Sequence, residues 1–381
     1  MKIVHLIPSL DPRQGGTVSY LRELVAAQRA AGDAPEIVSL DGAEEGAGPD
    51  PGVPHHRLPA RRSVYRHSPE LAAWLREHRD DCDAFVVHGL WQYPGFAAWR
   101  ALRGSGRPYL VFPHGMLDPW FKRAHPLKHL KKWLYWPWAE YRVLRDAARV
   151  VFTAEEERRA ARESFWLYDA REEVVPLGIA EPPEAKAGAF AALFPQAAGR
   201  RLFLFLGRLH AKKGCDLLLE AFAAVHGRNP EAVLMMAGPD GGMAAALRER
   251  ARALGIEGSV LWPGMLEGEA KRAALAAAEL FVLPSHHENF GIAVVEALAA
   301  GTPVLVSDRV NIAPEIAAAG AGRICRDTRE GVVHALRDWE AMSSSTRNEM
   351  RSRARAAFLN RYRIDRSAAR LREVLASVLG K

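Results

Sequence analysis

The chain has 381 residues, 49% of them hydrophobic, and its 52 Lys and Arg against 45 Asp and Glu leave a net charge of +7. That length suggests two domains, no apolar run approaches the ~20 residues of a membrane span, and three scattered cysteines, Cys82, Cys215 and Cys325, build neither a disulfide framework nor a metal cluster. The expected setting is a reducing cytoplasm, with anionic partners such as nucleotides or lipid headgroups favoured by the charge; nucleic acid is not expected, because no binding module or basic tail is present.

Met1-Lys2 runs directly into Ile3-Val4-His5-Leu6-Ile7-Pro8, which reads as a buried strand over 2–7 with no leader peptide before it. Gln14-Gly15-Gly16-Thr17 follows, ahead of a helix over 18–31. Glycines there let the backbone approach a phosphate with a helix N-terminus behind it, although a plain turn accounts for them equally well. The run is not G-x-G-x-x-G, and no acidic residue closes a second strand to read a ribose, which weakens a dinucleotide reading. Further strands are expected near 36–40, 84–88, 109–112, 149–153 and 173–175, with a Gly-rich loop over 41–52. Asp81-Cys82-Asp83 has a form that can hold a metal ion on a diphosphate, but it precedes its strand and reads as a solvated loop. His88-Gly89 and His114-Gly115 end consecutive strands, and strand C-termini of open α/β sheets point into the ligand crevice. A lone histidine in such a place is as readily structural as functional.

Between Trp120 and Arg145 the chain packs seven Lys or Arg and seven aromatic residues, with Pro126 and Pro137 bounding a short helix. Basic and aromatic residues mixed on a helix suit an anionic membrane interface; packing of the aromatics on a sheet, with the charges solvated, explains them as well. Residues 176–199, with Pro182-Pro183, read as a linker containing a short helix. A fresh strand starts at 201–206, and others follow near 232–237, 259–262, 279–283 and 303–306, each with an Ala- and Leu-rich helix. Such alternation signals parallel sheets with crossover helices, here two Rossmann-like halves and a last helix near 365–379 with no strand to serve.

Two motifs of the second half carry charge at strand ends. Gly207-Arg208-Leu209-His210-Ala211-Lys212-Lys213-Gly214 links a strand to a helix, and Arg208 and Lys213 offer a planar fork and a mobile cation to phosphate oxygens. Glu288 and Glu296 stand eight positions apart, the first in a loop, the second inside a helix over 290–300 that Gly301 stops. At ~1.5 Å per helical residue plus the loop, the two carboxylates lie roughly 10 Å apart, with helix N–H groups near Phe290 and Gly291 pointing into the gap. A solvated loop and a solvated helix face are the plain alternatives. Gly238-Pro239-Asp240 and Pro263-Gly264-Met265-Leu266 end the intervening strands.

Taken together, Gly-Arg-x4-Lys-Gly at 207–214 and Glu-x7-Glu at 288–296 resemble the GT4 family of retaining glycosyltransferases with the GT-B fold. The resemblance covers essentially the whole chain, most strongly 201–306, and His114 to Trp120 followed by the Lys/Trp run is similar to bacterial enzymes of surface-polysaccharide assembly. It implies an α/β protein of two Rossmann-like domains facing each other across a cleft. Residues 1–178 would form the acceptor side, with 362–381 packing back on it, and 179–361 would bind the nucleotide sugar. The resemblance implies roles: Glu288 on the sugar hydroxyls, His114 on the sugar, Arg208 and Lys213 on the leaving diphosphate, and Glu296 on the ribose. Gly15, Gly16, Leu266, Phe290 and Gly291 would complete the donor contacts. No metal and no cofactor beyond the donor is implied; the acceptor would be a saccharide or lipid-linked saccharide, reached from the cytoplasmic face of a membrane touched through 120–145. A nucleotide-sugar epimerase on the same fold and a non-catalytic membrane-surface partner are the alternatives. One departure is plain: where the family often has a Gly-Gly turn before Pro-Glu, this chain reads Asp308-Arg309-Val310-Asn311-Ile312-Ala313-Pro314-Glu315, so the donor sugar is not transferable from typical members.

Overall fold

The computed structural model describes residues 1–42, 50–124 and 126–380; positions 43–49, within the Gly-rich stretch 41–52, and positions 125 and 381 lie outside the described residues. Contacts divide the chain into two compact units, Met1–Ala180 with Arg363–Lys381, and Glu181–Tyr362.

The first unit is built on strands β1 (Lys2–Ile7), β2 (Ala34–Ser39), β3 (His55–Arg57), β4 (Ala84–His88), β5 (Tyr109–Phe112), β6 (Arg149–Phe152) and β7 (Glu172–Val174). They form a parallel sheet in the order β3-β2-β1-β4-β5-β6-β7. β1, β4 and β5 are near-continuous apolar runs because helices cover both faces of a parallel sheet. The helix Ile364–Leu379 belongs to this unit: Ala368, Leu371, Val374 and Leu375 repeat at helical spacing, and this face packs on the helix Gly16–Ala30. A buried hydrogen bond of 3.0 Å between Tyr20 Oη and Ser367 Oγ fixes the contact. The terminal helix therefore does cross back to the first unit.

The second unit holds β8 (Arg201–Leu206), β9 (Ala232–Ala237), β10 (Val260–Gly264), β11 (Leu280–Leu283), β12 (Val304–Ser307) and β13 (Gly322–Cys325), all parallel, in the order β10-β9-β8-β11-β12-β13. In each sheet the strand order reverses once, between β1 and β4 and between β8 and β11. Loops leaving the carboxyl ends on the two sides of such a point diverge and leave a crevice, where open α/β sheets bind ligands.

Two strands escape the sequence reading, β3 and β13. Both are short edge strands, and His-His-Arg and Gly-Arg-Ile-Cys show no periodicity of their own; they extend because β2 and β12 offer them an unpaired edge. β10 runs to Gly264, further than 259–262, and takes in Pro263 at a register shift, tolerated because β10 is itself an edge.

Candidate active site

β8 delivers the loop Gly207–Gly214 to the crevice of the second unit. Within it Ala211–Lys213 makes one tight turn, with His210 Nδ1 accepting the Lys212 N–H at 3.1 Å. Gly214 closes the turn at φ +64°, ψ 31°, and a Cβ there would lie 2.1 Å from the Pro284 carbonyl oxygen. Only glycine lets the loops after β8 and β11 come this close, and the His286 N–H then donates to Lys212 O at 2.9 Å. The consequence is an ion pair between Lys213 Nζ and a carboxylate oxygen of Glu288, side chains 24% and 17% exposed. Arg208 is exposed, its stem lying along Gly241.

Glu288 is held from the far side as well. Its N–H donates to Arg309 O at 3.0 Å, and the Asn311 N–H donates to Glu288 O at 3.0 Å. Gly291, at φ +82°, then opens the helix Ile292–Ala299, with no side chain capping it. Phe290 is buried and meets Tyr362 edge-on at 5.9 Å. Glu296, on that helix, accepts from Lys271 Nζ at 2.6 Å. Each carboxylate of the Glu-x7-Glu pair thus has a lysine on it. His287, buried beside this cluster, has its pKa driven down to about 3, first by burial and then by Lys212 and Lys213, so it is neutral.

The other two loops differ in character. Leu266 is half-buried just past β10. Asp240 is occupied: its Oδ1 accepts the N–H groups of Gly242, Met243 and Ala244 at 2.8–3.0 Å, capping the helix Ala244–Ala253, and those bonds lower its pKa. Asp83, of the Asp-x-Asp run, takes the Lys2 N–H at 2.8 Å at the amino ends of the strands. Among the described residues no cluster of three His, Cys, Asp or Glu is placed to hold a metal ion.

In the first unit, Gly15 (φ +86°) starts the helix Gly16–Ala30 with both glycines exposed and no side-chain cap. A cavity lined by Ile7, Gln14, Thr17, His88 and Gly89 opens at the ends of β1 and β4. His114 sits just past β5 in a left-handed conformation, φ +49°, and burial lowers its pKa to about 4. The turn is clamped by the buried Glu157, whose carboxylate accepts the Gly115 N–H at 2.5 Å and the Thr153 N–H at 2.6 Å.

The basic, aromatic stretch divides. Trp136 is buried and stacked on Phe165 at 4.4 Å, and Lys132 lies 4.4 Å over the Trp91 ring. On the helix Pro126–Tyr135, by contrast, Leu127, Leu130, Trp133 and Leu134 are exposed, as is Trp138 beyond it. No helix among the described residues is long and apolar enough to cross a membrane.

The family model for glycosyl transferases group 1 matches residues 194–357, and that for the glycosyl transferase 4-like domain matches 15–178, so the two take in most of the chain. The chain belongs to the group 1 glycosyl transferases. Its relatives in this group include a D-inositol 3-phosphate glycosyltransferase of Nocardiopsis dassonvillei, 30% identical over 68% of this chain, an alignment spanning 62% of that protein's own length. A GDP-mannose:cellobiosyl-diphosphopolyprenol alpha-mannosyltransferase of Xanthomonas oryzae pv. oryzae is 27% identical over 95% of this chain and 93% of its own. Among solved structures, Anabaena HepE in complex with UDP superposes with a TM-score of 0.80 at 18% identity, covering 99% of this chain and all of that one. Sucrose-phosphate synthase of Thermosynechococcus elongatus does so with a TM-score of 0.78, also at 18% identity and over the whole of both chains. At that identity the likeness establishes the GT-B fold.

For a group 1 glycosyl transferase, the sequence reading passed over one part of the site. Lys271 lies on the helix Gly268–Ala277 with no motif around it, and only the fold sets it against Glu296. The loop 308–311, which departs from the family's Gly-Gly turn, is tied by backbone bonds to Glu288 itself, and Asn311 Nδ2 donates to Asn289 Oδ1 at 3.2 Å. The departure marks this loop in the sequence; its backbone bonds to Glu288 could not be read from it.

Proposed function

We propose that this protein is a retaining glycosyltransferase that takes a sugar from a nucleoside-diphosphate donor and passes it to a hydroxyl of a lipid-linked saccharide. The observation that carries this reading is the Lys213–Glu288 pair, set where the strand order of the second sheet reverses. An arriving diphosphate draws the Lys213 ammonium to itself. That frees the Glu288 carboxylate to accept hydrogen bonds from sugar hydroxyls, so one binding event arms both groups. Arg208, exposed on the same loop, adds a planar fork for the phosphate oxygens. Charge grows on the departing diphosphate in the transition state, and fixed cations with the uncapped amides behind Gly291 stabilise it there. Glu296 takes the ribose hydroxyls, with Lys271 as its resting partner. The acceptor hydroxyl forms its bond to the anomeric carbon on the face from which the diphosphate departs, and the departing phosphate oxygen receives the proton. His114 meets a substrate hydroxyl, and the Gly15 and Gly16 backbone meets phosphate.

A lipid-linked acceptor is favoured by the helix Pro126–Tyr135, which carries Lys128 and Lys131 beside exposed Leu127, Leu130 and Leu134 and has no acidic residue. The acceptor in the name of the Xanthomonas relative, cellobiosyl-diphosphopolyprenol, is of that class. The test is thermal unfolding against UDP-, GDP-, ADP- and dTDP-sugars, with Glu296→Ala as control. A donor at ~100 times its Kd adds roughly 2.7 kcal/mol of stability. One nucleotide shifting the wild type but not the control supports the reading, and NMR of the product's anomeric proton then decides retention. No shift with any nucleotide favours a non-catalytic membrane-surface protein.

A further inference from the structure

Beneath His114 lies a file of hydrogen-bonded side chains that the reaction above does not use. Gln28 Oε1 is 2.9 Å from His5 Nε2, His5 Nδ1 is 3.0 Å from His88 Nε2, and His88 Nδ1 is 3.0 Å from His114 Nε2. The rings are stacked along the file at centroid distances of 5.3 Å, His5 on His88 and His88 on His114. Gln28, His5 and His88 are buried. They come from the helix Gly16–Ala30, from β1 and from the end of β4, so the file crosses the sheet to the end of β5.

A neutral imidazole carries one N–H and one lone pair, so each ring in such a file must donate at one nitrogen and accept at the other. Burial keeps all three neutral: it lowers His5 and His114 to about 4 and His88 further below its usual range. The direction of the file is then set at its buried end. Gln28 Oε1 only accepts, so His5 must carry its proton on Nε2. His5 Nδ1 therefore accepts from His88 Nε2–H, and His88 Nδ1 accepts from His114 Nε2–H. His114 Nδ1 is left as a bare lone pair, and it is the single nitrogen of the three rings without a hydrogen-bond partner among the described residues. Reversing one ring would set two N–H groups, or two lone pairs, against each other inside the core, a loss on the scale of an unsatisfied buried group.

We propose that Gln28, His5 and His88 are positioning residues that lock His114 in its Nε2–H tautomer, so that its Nδ1 accepts a hydrogen bond from a neutral substrate hydroxyl and disfavours a carboxylate. The clamped, positive-φ turn at His114 serves the same end, because it holds the ring on the file. The proposal rests on His114 meeting substrate, as in the function above, but the state of the file is measurable without any substrate.

The experiment is long-range 1H–15N NMR of the protein labelled at histidine nitrogens, at neutral pH, with resonances assigned by single substitution. The wild type should show His5, His88 and His114 all protonated on Nε2; His114 protonated on Nδ1 overturns the proposal and needs no variant. Gln28→Met keeps shape and removes the acceptor. It should leave His114 in a mixture of tautomers and lower kcat/KM for nucleotide-sugar turnover about five- to tenfold, the scale of one neutral hydrogen bond. An unchanged His114 tautomer in this variant overturns the relay. A changed tautomer with unchanged turnover overturns its use in positioning. If the wild type turns over no nucleotide sugar at all, the spectra still decide the relay while the catalytic reading fails separately.

Discussion

Gly214→Ala is the substitution that most directly probes how the second unit assembles its charged pair. The added methyl group meets two obstacles. A residue with a Cβ in the left-handed region at φ +64° costs about 1–2 kcal/mol. The new atom also lies 2.1 Å from the Pro284 carbonyl oxygen, well inside ordinary contact and against backbone that cannot rotate away. Overpacking of this kind costs about 1–3 kcal/mol, for a total of roughly 2–5 kcal/mol. In a unit of this size each kcal/mol moves the unfolding midpoint by about 2–4 °C, so the variant should melt about 4–20 °C lower. Gly199→Ala is the control, since Gly199 has a similar φ of +74° with nothing within 4 Å of its Cβ. It meets only the conformational penalty, part of which the stiffer unfolded chain returns, and should lose no more than about 6 °C. Relief of the clash must move the Lys213 loop away from the Glu288 loop, and a displacement of ~1 Å at a reacting centre lowers turnover roughly 100-fold. The assays are thermal unfolding followed by circular dichroism and initial rates with the donor found by the nucleotide panel. A Gly214→Ala protein that melts with the control and turns over normally would refute the close-approach argument.

Lys213→Ala should lower kcat by about 10²–10³ while leaving the circular dichroism spectrum unchanged, the loss expected for one charge-stabilising donor; a normal kcat removes Lys213 from the mechanism. His5 titrates near 4 when folded and 6.5 when unfolded, so below pH 6.5 the unfolded chain binds a proton that the native state does not. Stability present above pH 6.5 is lost as the pH falls toward 4, by about 2 kcal/mol at pH 5 for this ring, and urea titrations of His5→Gln should show a correspondingly shallower loss between pH 7 and pH 5. Glu140 has the opposite sign. It is buried, which raises its pKa to about 7, so between 4.5 and 7 the native state holds the extra proton and stability is lost as pH rises. Glu140→Gln should therefore gain about 2–3 kcal/mol relative to wild type on going from pH 5 to pH 8, and a pH-independent difference contradicts the assignment. Lys128→Gln with Lys131→Gln should weaken sedimentation with anionic vesicles by about 30-fold, at ~1 kcal/mol per lysine, and leave neutral vesicles unaffected; equal binding to anionic vesicles removes the membrane surface.

Much of this fold was legible because strands buried on both faces must be apolar along their whole length. The runs 2–7, 84–88, 109–112, 201–206 and 232–237 stand where the structure has β1, β4, β5, β8 and β9. The edge strands β3 and β13 were not legible, since their extension depends on a neighbour's open edge more than on their own side chains. The motifs at 207–214 and 288–296 were legible because a strand end, a loop and a helix start lie within a few residues of each other and carry local signals.

The sequence by itself determined the alternation of strands and helices and the placing of charge at strand ends, and its motifs at 207–214 and 288–296 carried the resemblance to a glycosyltransferase family that the family models bear out. Only the tertiary structure decided which charges meet. Lys213 and Glu288 are 75 positions apart, and Lys271 and Glu296 are 25. Gln28, His5, His88 and His114 come from separate elements, and nothing in the residues around His114 announces the other three. Hydrophobic periodicity and helix caps act over a turn or two of chain, whereas contact between strand ends depends on the order of strands in the sheet, and that order is settled by the packing of the whole unit.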